Sequence, residues 1–188
     1  LEGLGGADAF IGGTGSDTVS YENSVQGIVS SLTTTFGNGP TVTQTNDAAG
    51  DTYSSIENLV GSASGDTLIG ESHDNLISGG AGDDTLEGMA GADALAGGIG
   101  NDTASYAHSG GVLATLSTGL GVVASGDASG DTYDSIENLK GSDFADTLIG
   151  NSGINILTGG AGNDTLEGMG GADILDGGSG TNTASYEH

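Results

Sequence analysis

Residues 79–87 read GGAGDDTLE, and residues 159–167 return as GGAGNDTLE. In the first copy three glycines flank two adjacent carboxylates, Asp83 and Asp84, in a chain whose sole basic side chain is Lys140. Glycine loses more chain entropy on folding than any other residue, and neighbouring carboxylates repel in a compact state. A segment unfavourable on both counts needs a compensating partner. The segment is one row of a nine-residue period. Rows begin at Gly3 and Gly12, at Gly61, Gly70, Gly79, Gly88 and Gly97, and at Gly141, Gly150, Gly159, Gly168 and Gly177. The sixth position is always Asp or Asn: Asp8, Asp17, Asp66, Asn75, Asp84, Asp93, Asp102, Asp146, Asn155, Asp164, Asp173 and Asn182. The eighth is always apolar: Phe10, Val19, Leu68, Ile77, Leu86, Leu95, Ala104, Leu148, Leu157, Leu166, Leu175 and Ala184.

One apolar residue in nine, held in register, reads as a short strand that points one side chain inward and its neighbours outward. Glycines at positions one, two and four are expected to let the intervening loop turn sharply. Two rows make one coil, with a strand on each side of a thin core, and stacked coils pair their strands in parallel about 4.8 Å apart. The expected fold class is all-β, a right-handed parallel β-roll (a β-solenoid) of stacked nonapeptide half-turns with longer inserted coils. Every second row falls on the same side. Asp66, Asp84 and Asp102 should therefore share one edge, opposite Asn75 and Asp93, while Asp146, Asp164 and Asn182 face Asn155 and Asp173 in the same way.

Such loops offer only hard oxygen donors, in multidentate and somewhat flexible sets. That suits Ca²⁺ better than octahedral Mg²⁺ or the transition metals that favour nitrogen and sulfur. Calcium is the compensating partner this reading supplies. Same-side neighbours within the two five-row blocks predict about six ions, or more if other coils contribute.

Composition narrows the remaining choices. The formal charge is −25, with 26 carboxylates, 39 glycines and no cysteine. Low hydrophobicity with high net charge would read as disorder without a partner. Nucleic-acid binding is excluded, because phosphate neutralisation needs Lys or Arg in number; anionic membrane surfaces are excluded likewise. No apolar run nears the roughly 18 residues of a membrane-spanning helix, so no membrane insertion is expected. Without cysteine there is neither a disulfide scaffold nor a thiolate metal site.

A longer repeat overlies the short one. Residues 86–106 return at 166–186 and also open the chain at 1–21. Residues 1–188 are therefore expected to form one elongated roll, with repeat blocks 3–20, 61–105 and 141–185, cut from a larger protein. Two related insertions, 21–60 and 106–140, share an alternating stretch (GIVSSLTT and GVLATLST) and then GDTYSSIENL and GDTYDSIENL. Alternation implies strand, so these are expected to be longer coils of the same solenoid. Asp51 and Asp131 stand at the sixth position of two degenerate rows within them.

GGTGSDTVS, GGAGDDTLE, GGIGNDTAS and GGAGNDTLE resemble the nonapeptide G-G-x-G-x-D-x-U-x of the RTX (repeats-in-toxin, hemolysin-type) calcium-binding family. The resemblance implies Ca²⁺ held between neighbouring coils by the twelve sixth-position residues and by loop carbonyls, here those of Gly61, Gly80, Gly82, Gly98, Gly100, Gly160 and Gly162. It further implies a secreted, extracellular module of a Gram-negative bacterium, exported by a type I secretion apparatus and folding outside the cell. Asn75, Asn155 and Asn182 lack the charge and should give weaker sites or none.

No catalytic motif is present: there is no H-E-x-x-H, G-x-S-x-G or P-loop. His73, His108 and His188 are scattered through a degenerate row, an insertion and the last residue. No EF-hand loop occurs, and the chain is not read as an enzyme. An adhesive, ice-binding or polysaccharide-binding surface is the alternative, because seventh-position threonines recur as Thr67, Thr85, Thr103 and as Thr147, Thr165, Thr183. Leu76, Ala94, Ile156 and Ile174 are expected to form an apolar stripe on the opposite face that packs on a partner, an insertion or, by self-association, a second copy.

Overall fold

The computed structural model describes residues 1–33 and 42–187. Thr34 of the first alternating stretch, and His188, lie outside the described residues. Each row yields a strand that contains its eighth position, most of them three residues long, because in most rows that side chain has only the interior to pack into. The strands, numbered in chain order, form four parallel sheets. Sheet one pairs β1 (Ala9–Ile11) with β4 (Thr52–Ser54). Sheet two runs β2 (Thr18–Ser20), β5 (Asn58–Val60), β7 (Leu76–Ala81), β9 (Ala94–Ile99), β12 (Thr132–Asp134). Sheet three runs β3 (Val29–Ser31), β6 (Thr67–Ile69), β8 (Thr85–Glu87), β10 (Thr103–Ser105), β13 (Asn138–Lys140), β15 (Ile156–Thr158), β17 (Ile174–Asp176). Sheet four runs β11 (Leu113–Thr115), β14 (Thr147–Ile149), β16 (Thr165–Glu167), β18 (Thr183–Ala184). The fold is a parallel β-roll.

Following the chain through these sheets explains what the insertions do. From β5 to β10 the roll alternates between sheets two and three. It then passes to β11 in sheet four, back to β12 in sheet two, and on to β13 in sheet three. From β13 onward it alternates between sheets three and four. The insertion is one three-sided coil that retires one sheet and opens another. The first insertion does the same one sheet earlier, through β3, β4 and β5. The edges of β3 and β11 that face away from β6 and β14 are met by antiparallel bridges, Val29 to Thr45 and Leu113 to Ser125. These bridges occupy backbone groups that would otherwise template aggregation.

The core is made of facing files of stacked side chains, one from each sheet, such as Val19, Leu59, Ile77 and Leu95 in sheet two. In sheet three the inward ladder is Ser30, Leu68, Leu86, Ala104, Leu139, Leu157 and Leu175 in direct register. Leu68, Leu86, Leu139 and Leu157 are essentially inaccessible to water, and each such leucine contributes about 1.5–3 kcal/mol of burial. At the three-sided coils, where more interior must be filled, tyrosines take over. Tyr21 and Tyr106 are buried, and Phe10 stacks on Tyr53 with ring centroids 5.8 Å apart.

The sheet exchange corrects one expectation. Leu76 pairs with Ala94 in sheet two, whereas Ile156 pairs with Ile174 in sheet three. The four do not form one stripe. The second pair instead continues the face of Thr67, Thr85 and Thr103, with Asn138 between them. The other threonines, Thr147, Thr165 and Thr183, stand on sheet four. The cause is the inserted coil, which moves every later row one sheet onward.

Candidate metal centre

The sixth-position residues form columns along the sheet edges, one residue before each strand. A single hydrogen bond links neighbours in a column: the backbone N–H of one residue donates to a side-chain oxygen of its counterpart in the following coil. Asp66 N–H donates to Asp84 Oδ1, and Asp84 N–H to Asp102 Oδ1, both at 2.8 Å. The same link runs from Asn75 to Asp93, Asp146 to Asp164, Asn155 to Asp173 and Asp164 to Asn182 at 2.8–2.9 Å. Asp84, Asp93, Asp102, Asp164 and Asp173 thus each have one oxygen committed to the fold. The chemistry of each depends on the second.

Three outcomes are found for that second oxygen. At Asp66 and Asp146 it accepts from the backbone N–H of Ser62 (2.6 Å) and Ser142 (2.7 Å), with both serine hydroxyls adding further bonds. Asn75 and Asn155 are satisfied too: each Oδ1 accepts from a backbone N–H, of Glu71 or Asn151. Each Nδ2 donates to a carbonyl, of Glu57 or Glu137. At Asp8, Asp17, Asp84, Asp93, Asp102 and Asp164, by contrast, Oδ2 is buried without a hydrogen-bond partner. A buried carboxylate oxygen left unmatched is costly. Six in one small fold call for a cation.

Electrostatics point the same way. Burial pushes the carboxyls of Asp84 and Asp93 up to about 7, against the opposing backbone bonds of Asp66 and Asn75; nearby carboxylates add to the rise. Asp66, Asp102 and Asp146 are also raised, in each case chiefly by burial. Lys140, exposed on β13, is the one basic side chain in the sequence. Among the described residues no three His, Cys, Asp or Glu side chains converge on a metal position. A cation held here must therefore draw on backbone carbonyls, and hard oxygen sets of that kind suit calcium.

The glycines supply the room. Gly80, Gly82, Gly98, Gly160 and Gly162 have positive φ, as the turn reading expects of positions two and four; Gly61 and Gly100 do not. First-position glycines are required for a different reason from the sharp turn expected of them. A Cβ at Gly79 would strike Asp84 Oδ2, and one at Gly61 would strike Asp66 Oδ2 and the carbonyl of Gly79. The sixth-position carboxylate folds back over its own first residue, within reach of the next coil's carbonyl. Met89 and Met169 hold the second position at φ +72° and +71°, so that conformation persists even where a side chain strains it.

The inserted coils join the same columns, which the sequence only half revealed. Asp51 and Asp131 do stand at sixth positions: Asp8 N–H donates to Asp51 Oδ1 and Asp93 N–H to Asp131 Oδ1. Their other oxygens accept from the hydroxyls of Tyr21 (2.7 Å) and Tyr106 (2.8 Å), so a tyrosine closes each. Glu57 and Glu137 were missed altogether. Asn58 pairs with Thr18 and Asn138 with Thr103, which puts the preceding glutamates in the sixth-position register. Each Oε2 accepts the sixth-position N–H of the coil before, from Asp17 and Asp102, at 2.9 Å. The recurrence of SIENL in both insertions was the available signal.

Two of the three histidines lie among the described residues. His73 contacts Glu71 at 2.7 Å on the surface, and His108 contacts buried Glu87 at 3.0 Å. No helix among the described residues is long and apolar enough to cross a membrane. A family model, the RTX calcium-binding nonapeptide repeat (4 copies), matches residues 1–20, 51–86, 69–104, 131–153 and 149–184, together more than half of the chain. No curated protein matches it.

Proposed function

Because the chain belongs to the RTX calcium-binding nonapeptide repeat family, we propose that it is a calcium-binding β-roll module which folds as it binds calcium and serves as a structural scaffold of a secreted protein. One observation carries the reading: the six buried, unpartnered Oδ2 atoms of Asp8, Asp17, Asp84, Asp93, Asp102 and Asp164. Within the nonapeptide blocks, Asp84 and Asp164 would each hold an ion together with carbonyls of their glycine loops. The ion supplies positive charge to oxygens that have none nearby. Asp66, Asp146, Asn75 and Asn155 would bind none, because their own loops satisfy them.

Calcium and folding are then linked. At −25 the metal-free chain repels itself, and its thin core gives little burial to oppose that. Affinity on the order of 10⁻⁴ to 10⁻³ M, as in extracellular modules, would keep the chain unfolded in calcium-poor cytosol. An unfolded, acidic chain suits passage through a type I secretion channel, with folding deferred to the calcium outside.

The test is a calcium titration of the chelated chain, followed by far-ultraviolet circular dichroism and calorimetry. Appearance of β signal together with binding heat supports the reading. Full β signal in chelator, or no binding at millimolar calcium, overturns it.

A further inference from the structure

We propose that the inserted coils complete two cation sites through Glu57 and Glu137, so that the loops of Gly12 and Gly97 bind calcium with a glutamate where other coils use aspartate. This rests on the calcium reading above. The nine-residue pattern does not contain these glutamates; the strand register assigns them.

The second of these places is the more enclosed. Asp102 is fully buried, its Oδ1 accepts Asp84 N–H, and its Oδ2 has no partner. The next coil over it is the insertion. A Cβ on Gly97 would strike both the carbonyl of Ser135 and Asp102 Oδ2, so these two oxygens flank the same Cα. Elsewhere the carbonyl over a first-position glycine belongs to the first glycine of the same-side row in the next coil: Gly79 over Gly61, Gly159 over Gly141. Ser135 has taken that role. From Ser135 the chain reaches the sixth position at Glu137 after one intervening residue, buried Ile136, instead of four. The shortened loop brings a longer side chain, and Glu137 Oε2 meets Asp102 N–H as an Asp Oδ1 would.

Neighbouring contacts hold the arrangement. Asn138 Nδ2 donates to Asn101 Oδ1 at 3.0 Å, fixing the fifth position of the Gly97 loop. On the far side Asn155 Nδ2 takes the Glu137 carbonyl and closes the column. The first unit repeats four of these contacts, around the half-buried Asp17. Ser55 O lies over Gly12, Asp17 Oδ2 is unpartnered, Glu57 Oε2 accepts Asp17 N–H, and Asn58 Nδ2 reaches Ser16 Oγ at 2.9 Å. Two carboxylates and a carbonyl in each place form a hard oxygen set of net negative charge.

The experiment compares the full chain with E57Q, E137Q, the double variant and E22Q, which alters an exposed glutamate in neither place. Glutamine keeps the acceptor for the aspartate N–H and removes only the charge, so a purely structural glutamate would tolerate it. Bound calcium is counted by metal analysis after equilibrium dialysis, and folding is followed by circular dichroism. Loss of one ion in each single variant and two in the double, with none lost in E22Q, supports the proposal. Unchanged counts and midpoints in E57Q and E137Q overturn it while leaving the broader reading intact. A wild-type chain that binds no calcium overturns that broader reading instead. Should a variant not regain its β signal, anomalous scattering from calcium-grown wild-type crystals decides: a peak among Asp102 Oδ2, Ser135 O and Glu137 supports the site. Peaks at Asp84 with none at Asp102 refute it.

Discussion

Asp66 and Asp84 are neighbours in one column, joined by one hydrogen bond, yet their asparagine variants should respond to calcium in different ways. Asp66→Asn replaces a carboxylate whose oxygens accept from Ile28 N–H, Ser62 N–H and Ser62 Oγ. The amide turns a donor toward donors. Hydrogen bonds to charged groups contribute about 1.5–3 kcal/mol, and that loss is the same at every calcium concentration at which the fold exists. Asp84→Asn keeps the acceptor for Asp66 N–H and removes a buried charge that has no partner. At low calcium it should cost nothing. At high calcium it forfeits a bound ion. With an affinity on the order of 10⁻⁴ M, roughly 10 mM calcium is a hundredfold excess, and the lost linkage is about 2.7 kcal/mol. Urea unfolding at a series of calcium concentrations separates the two. The Asp84→Asn deficit should grow by about 1.4 kcal/mol per decade of calcium, and the Asp66→Asn deficit should stay flat. A flat Asp84→Asn line, or a rising one for Asp66→Asn, would refute the distinction between satisfied and unpartnered oxygens.

Other outcomes follow from the same geometry. Gly79→Ala should raise the calcium midpoint for folding, because its methyl meets Asp84 Oδ2, while Gly110→Ala, with nothing within 4 Å, should leave it unchanged; equal effects in circular dichroism titrations would contradict this. Tyr106→Phe removes the hydroxyl that closes Asp131 Oδ2 and should cost about 1–3 kcal/mol, read by urea unfolding in saturating calcium. The pH response of the chelated chain should run opposite to that of most acidic proteins. Burial raises Asp84 and Asp93 from 3.8 to about 7, so the fold binds more protons than the unfolded chain between those values. Metal-free stability is therefore greatest below about pH 4 and is lost as pH rises through 7. Acidification from pH 8 to 5 in chelator should increase β signal; a decrease would count against the unpartnered-carboxylate account.

The nine-residue period made the strands, their inward residues and the alternation of sides legible, since Leu68, Leu86 and Ala104 could face only one interior. The sixth-position aspartates were legible as a class. Which of them lack a partner was not, because that turns on second-position chemistry: serine in Ser62 and Ser142 donates to the carboxylate, whereas Gly80 and Gly98 leave Asp84 and Asp102 open. Glu57 and Glu137 stayed hidden because their loops are shorter than a row, so alignment by length misplaces them. Only the pairing of Asn58 and Asn138 across the sheet restores the register. The apolar stripe failed for a related reason. Counting rows assumes a fixed number of sides, and the inserted coils change which sides are in use.

That change of sides bears on how such arrays evolve. Thr67, Thr85 and Thr103 of one unit and Thr147, Thr165 and Thr183 of the next occupy equivalent rows, yet they stand on sheets three and four. A gene duplication that copies a unit whole therefore copies its surface onto a new wall. Selection acting on the shared wall sees different rows of the two units and is blind to the residues of the copy that are equivalent to those it acts on. The copies are free to diverge on the outside while the shared seven-stranded wall keeps their interiors under common constraint.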